Sequence, residues 1–166
     1  MERDLDSGLS TFPDRQDPEI LEVLRWHPGA WSPHTARFLG KAMANVDPEM
    51  RTIAAELVAT KLAAAVGAEV AAQQWAQIDD IILGRWAASL TDAATLNPVF
   101  VHDLLTLLLP QLDRKARDVG KLIELLRNVR LQTGQRDVAK QMREWLQTFS
   151  GKSKAAQAAT ALLKEG

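Results

Sequence analysis

Apolar positions along this chain recur at helical spacing, and the clearest case lies near the C-terminus. Val138, Met142, Trp145, Leu146 and Phe149 fall on one face of a predicted helix over 135–149. Arg136, Lys140 and Arg143 recur at i, i+4, i+7 and fall roughly opposite. Upstream, Leu122, Leu125, Leu126 and Val129 make a second apolar stripe. Period-2 runs of β-branched residues, the mark of strands, are missing.

The helix starts are legible. Asp17-Pro18, Ser32-Pro33, Asp47-Pro48 and Asn97-Pro98 each put a capping side chain before a proline. The side-chain oxygen accepts an orphan backbone N–H, and proline at the first helical position gives up no needed donor. Glu19 and Glu49 then sit in the first turn, where the helix dipole favours negative charge. The pattern predicts helices over about 18–26, 33–45, 48–66, 68–90, 98–109, 111–133, 135–149 and 153–164. The fourth is expected to bend near Asp79-Asp80. Pro110 and Gly120 are candidate breaks in the sixth. The expected fold class is all-α, a bundle of about seven or eight short-to-medium helices. Residues 1–16 read as a mobile polar N-terminus, and 17–166 as one domain.

Composition narrows the function. The chain has 166 residues, of which 46% are apolar and 25% charged, enough for a real core. No cysteine is present, so disulfides, thiolate metal sites and a Cys nucleophile are excluded together. The first residues lack a basic and then apolar pattern, and no run approaches the ~20 apolar residues of a membrane span. A cytoplasmic protein with no membrane association is expected.

Charge is divided unevenly. Residues 1–110 carry 8 Lys/Arg and 15 Asp/Glu, a net of −7. Residues 111–166 carry 12 Lys/Arg and 6 Asp/Glu, a net of +6. A basic third on a near-neutral chain points to a polyanion or an acidic neighbour. The candidate nucleic-acid contacts are Arg114, Arg117, Lys121, Arg127, Arg130, Arg136, Lys140 and Arg143. If these helices pack with basic faces together, they line a groove for a phosphate backbone. In the alternative, each basic residue is the solvated side of an amphipathic helix, softened by Asp113, Asp118, Glu124, Asp137 and Glu144.

Of the five Trp, Trp75, Trp86 and Trp145 sit in helical stretches and are expected in the core. Trp26 and Trp31 bracket a Pro-Gly turn, where they pack a helix corner or anchor a partner. Parts for chemistry are missing. His27, His34 and His102 form no i, i+4 pair for a metal. No phosphate-cradling glycine loop and no nucleophile elbow occur. A helix–turn–helix over Asp137 to Leu163 would present an Ala-rich second helix, which suits helix packing better than base readout. No catalysis, no cofactor and no metal are expected.

A cysteine-free, motif-free helical chain of this size with one basic region resembles the helical small subunit of multisubunit CRISPR ribonucleoprotein complexes. The eight basic residues named above carry the resemblance. It implies a non-catalytic assembly subunit in antiviral defence. Such a subunit contacts single-stranded RNA or DNA through its backbone and packs against other subunits or copies of itself. The rival reading is a helical protein–protein adaptor or regulator with no nucleic-acid role.

Overall fold

The computed structural model describes residues 21–24, 33–76, 83, 85–112, 118–134 and 140–165. These are 85% helical and contain no strand, so the chain is an all-α helical bundle. Helix α1 spans Pro33–Met43 and α2 Pro48–Leu57. A π-helical turn over Val58–Leu62 and a last turn over Ala63–Ala65 continue α2. Then follow α3 (Gly67–Trp75), α4 (Ala87–Leu96) and α5 (Pro98–Leu108). A 3₁₀ turn over Leu109–Gln111 precedes α6 (Val119–Thr133), α7 (Lys140–Gln147) and α8 (Lys154–Glu165). The Asp17-Pro18 cap, the Trp26–Trp31 turn and the Asp79-Asp80 bend lie outside the described residues, as does the expected polar N-terminus.

Two of the expected caps form as the sequence implies. Asp47 accepts from the Glu49 N–H at 3.0 Å, and Asn97 accepts from the Phe100 N–H at 3.1 Å. Pro48 and Pro98 open their helices. Two expectations fail. The stretch 68–90 is not one helix: α3 stops at Trp75, and a separate α4 runs to Leu96. The expected stretch 111–133 is interrupted too: a 3₁₀ turn covers Pro110, and α6 starts at Val119, which places Gly120 in its first turn rather than at a break. A Cβ there would come within 3.1 Å of the Ala155 backbone, so glycine lets α8 approach α6 closely.

The core is organised around α5, which packs on α3, α4 and α6. Five apolar side chains of α5 (Phe100, Val101, Leu104, Leu105 and Leu108) are buried, and burial of such side chains is the main favourable term in folding. Helix α1 packs on α2 and α3, and its carbonyls anchor three side chains. Trp75 Nε1–H donates to the Ala36 carbonyl at 2.6 Å, and Trp86 Nε1–H to that of Gly40 at 2.8 Å. The Ser89 hydroxyl donates to the Met43 carbonyl at 2.6 Å. The three acceptors recur at i, i+4, i+7, one face of α1. The two indoles meet edge to face, with centroids 4.8 Å apart.

The π turn has an identifiable cause. The Ala63 N–H bonds the Thr60 and Val58 carbonyls and leaves that of Ala59 out. Asn97 Nδ2 donates to the Ala59 carbonyl at 3.0 Å. One amide thus caps α5 and satisfies the carbonyl that the π turn releases.

Helices α6 and α8 run in the same direction. Gly120 faces Ala155 near their starts, and Arg127 reaches Glu165 farther along. Helix α7 packs on α8 and on the 3₁₀ turn. Its apolar face is the expected one: Met142, Trp145 and Leu146 are buried. Trp145 Nε1–H donates to the Leu112 carbonyl at 3.3 Å, and its ring meets Phe149 edge to face.

Candidate functional site

A groove of about 910 Å³ opens where the starts of α4, α6 and α8 face the loop after α1. Its floor is apolar, formed by Ala87 and Ala88 of α4, Leu125 of α6 and Ala158 of α8. Four cations line it: Arg51 of α2, Arg85 just before α4, Lys121 of α6 and Lys154 of α8. Two carboxylates join them, Asp118 and Glu124. Both already have a cationic neighbour. Asp118 lies 3.7 Å from Lys121 Nζ, and Glu124 lies 3.7 Å from Arg127 Nη1.

Each cation is held differently. Arg51 donates from Nη1 to the Asn45 carbonyl at 3.1 Å, which fixes the loop that forms one wall. The Asp47 N–H donates to Asn45 Oδ1 at 2.8 Å and tightens the same loop. Lys121 is largely exposed, so its contact with Asp118 is a weak surface pair. Arg85 and Lys154 are exposed and make no ion pair among the described residues. Ser153 Oγ accepts from the Ala156 N–H at 3.1 Å, a cap that presents Lys154 at the start of α8. The groove is therefore cationic by an excess of two charges.

Of the basic residues singled out in the sequence, those that are described do not all line the groove. Arg114, Arg117 and Arg136 lie outside the described residues, as do Trp26 and Trp31. Lys121 alone of the remaining five lines the groove. Arg127 is bound to Glu165 by two contacts, 2.7 Å from Nε and 2.6 Å from Nη2. The hydrogen bond to Glu165 and its charge, aided by Glu124, raise the guanidinium above its usual value. Its donors are committed to tying α6 to the end of α8. Lys140 and Arg143 stand on α7, away from the groove lining.

Arg130 is a correction. It was expected as a nucleic-acid contact, yet it is 4% exposed, and its Nε has no hydrogen-bond partner. The reason is helical phase. Arg130 follows Ile123 and Leu126 at i+7 and i+4, so it continues the buried stripe of α6. A side chain so placed cannot contact a phosphate backbone at the surface.

The sequence reading missed Arg51 and Arg85. Both sit in the acidic part of the chain, and no local periodicity marks them. Lys154 carried a signal, Ser153-Lys154 before an Ala-rich helical run, which its absence from the amphipathic stripes obscured. His27 lies outside the described residues; His34 is exposed on α1, and His102 is buried on α5 with Nδ1 3.0 Å from Asp103 Oδ1. No three His, Asp or Glu side chains converge on a possible metal position among the described residues. Among the same residues, no helix is long and apolar enough to cross a membrane. Comparison with protein-family models, characterised proteins and solved structures finds no match.

Proposed function

We propose that this chain is a non-catalytic assembly subunit that binds the backbone of single-stranded nucleic acid without sequence specificity. In this it resembles the helical small subunit of CRISPR ribonucleoprotein complexes. The observation that carries the reading is the groove, which is lined by four cations from four separate stretches of the chain. Cations spread along a channel suit a repeating polyanion, because each phosphate contact releases condensed counterions. Lys140 and Arg143 on α7 offer a second stretch of positive surface for a strand that continues past the groove. Assembly with other subunits is served by different residues. Leu96, Val99 and Leu107 are exposed at 57%, 51% and 41%, and Val99 and Leu107 lie two turns apart on α5.

The test is fluorescence anisotropy with a labelled single-stranded RNA and its DNA counterpart, titrated at several salt concentrations. Log affinity should fall linearly with log salt. Lys121→Gln with Lys154→Gln should flatten the slope by roughly 1.4, from about 0.7 per phosphate contact on a single strand. No binding at low salt by a folded sample would overturn the reading in favour of a protein–protein adaptor.

A further inference from the structure

The groove is more than a charged track, because its floor is apolar and small. Ala87 and Ala88 of α4 and Ala158 of α8 contribute only methyl groups, so two helices present small apolar side chains beside Leu125 of α6. A phosphate backbone has no use for such a surface, whereas the face of a planar ring does. At the rim stands Val46, 86% exposed, the most exposed large apolar side chain among the described residues. Its loop is held by Arg51 and by the turn at Asn45, so the valine is presented in a fixed place rather than left on a free tail.

The polar groups are ordered along α6. Lys121, Leu125 and Asn128 recur at i, i+4, i+7 and face the groove in that order. A cation, an apolar patch and an amide thus follow one another over roughly 10 Å of helix axis. Asn128 is exposed and makes no hydrogen bond among the described residues, so both its donor and its acceptor are available. Gln157 across the groove donates from Nε2 to the Lys152 carbonyl at 3.1 Å, which leaves its Oε1 as an acceptor facing the same space.

We infer that the groove holds one unpaired base of the bound strand, with its ring between Val46 and the alanine floor, its edge at Asn128 and its phosphate at Lys121. This rests on the backbone-binding reading and adds the base to it. A side-chain amide offers a donor and an acceptor to the edge of any base, so the contact tolerates sequence. A duplex keeps its bases paired and stacked, so the groove favours single strands over duplex.

The experiment compares two labelled single strands of equal length at matched salt, one with all its bases and one made of abasic sites. The expected result is at least tenfold tighter binding of the intact strand, with the same salt dependence for both. Asn128→Ala and Val46→Ser, both at exposed positions, should each reduce that preference and leave the salt slope unchanged. Equal affinities for the two strands would overturn the base pocket and leave the backbone reading standing. An undiminished preference in the Val46→Ser, Asn128→Ala double variant would also overturn it. Binding of neither strand would overturn both readings.

Discussion

At the scale of single residues, the most unusual side chain is Arg130. A buried polar atom left without a hydrogen-bond partner is costly, since its desolvation is not repaid. Arg130 is 4% exposed, its Nε is unbonded and it has no salt bridge among the described residues. Arg130→Met keeps an unbranched chain of similar length and removes the charge. It should raise stability by roughly 1–3 kcal/mol in urea unfolding, the cost of an unsatisfied buried donor, and leave single-strand binding as it was. A lower unfolding midpoint would show that the charge is satisfied by the fold. Gly120 poses the opposite question. Alanine is favoured over glycine in a helix interior by roughly 1 kcal/mol, but its Cβ would meet the backbone of Ala155 at 3.1 Å. The obstacle is backbone on a packed helix, which gives way less readily than a side-chain tip. Gly120→Ala should therefore lower the melting temperature, and a rise would mean that α8 shifts freely.

At the scale of elements, Asn97 links two helices through one amide. Its oxygen caps α5 and its nitrogen serves the Ala59 carbonyl of the π turn. Asn97→Asp keeps the cap acceptor and loses the donor, so the π-turn carbonyl is left without its partner. The expected cost is about 1–3 kcal/mol. Asn97→Ala loses both roles and should cost more, by the further ~1 kcal/mol of a missing cap. Thermal unfolding of the two variants checks the order, and an Asp variant as stable as the parent would remove the link to Ala59 from the account. Helix starts of this kind were legible in the sequence because cap and proline are local chemistry. The start of α4 was not. Trp86 precedes that helix with no side-chain cap, and its place is set by contacts with α1, which lies more than forty residues earlier. The reading of 68–90 as one helix failed there, since helical propensity continues through a break that tertiary packing imposes. Arg130 was misjudged for a related reason: it was grouped with the basic residues by charge, while its spacing from Ile123 and Leu126 puts it on the buried stripe.

At the scale of the whole molecule, the division of charge along the chain is not the division of the groove's cations. The last 56 residues hold a net of +6, and this pointed to one basic face over residues 114–143. In the fold, two of the four groove cations, Arg51 and Arg85, come from the part of the chain whose net charge is −7. Two of the basic residues in the C-terminal part are spent on other duties, Arg127 on Glu165 and Arg130 in the core. Charge asymmetry in sequence is a sum, while a binding surface depends on which terms of that sum meet in space. The two views differ in what they expect of Arg85. Counted along the chain, it belongs to the acidic part and is irrelevant to a polyanion. Placed in the fold, it is an exposed cation at the groove with no ion pair among the described residues. Arg85→Gln should weaken single-strand binding and flatten the salt dependence by roughly 0.7, as one lost phosphate contact does, and as Lys154→Gln should. Its exposure means that the fold should tolerate the change, which circular dichroism of the variant checks. If Arg85→Gln is silent while Lys140→Gln with Arg143→Gln abolishes binding, the working surface is the outer face of α7, and the groove has another occupant.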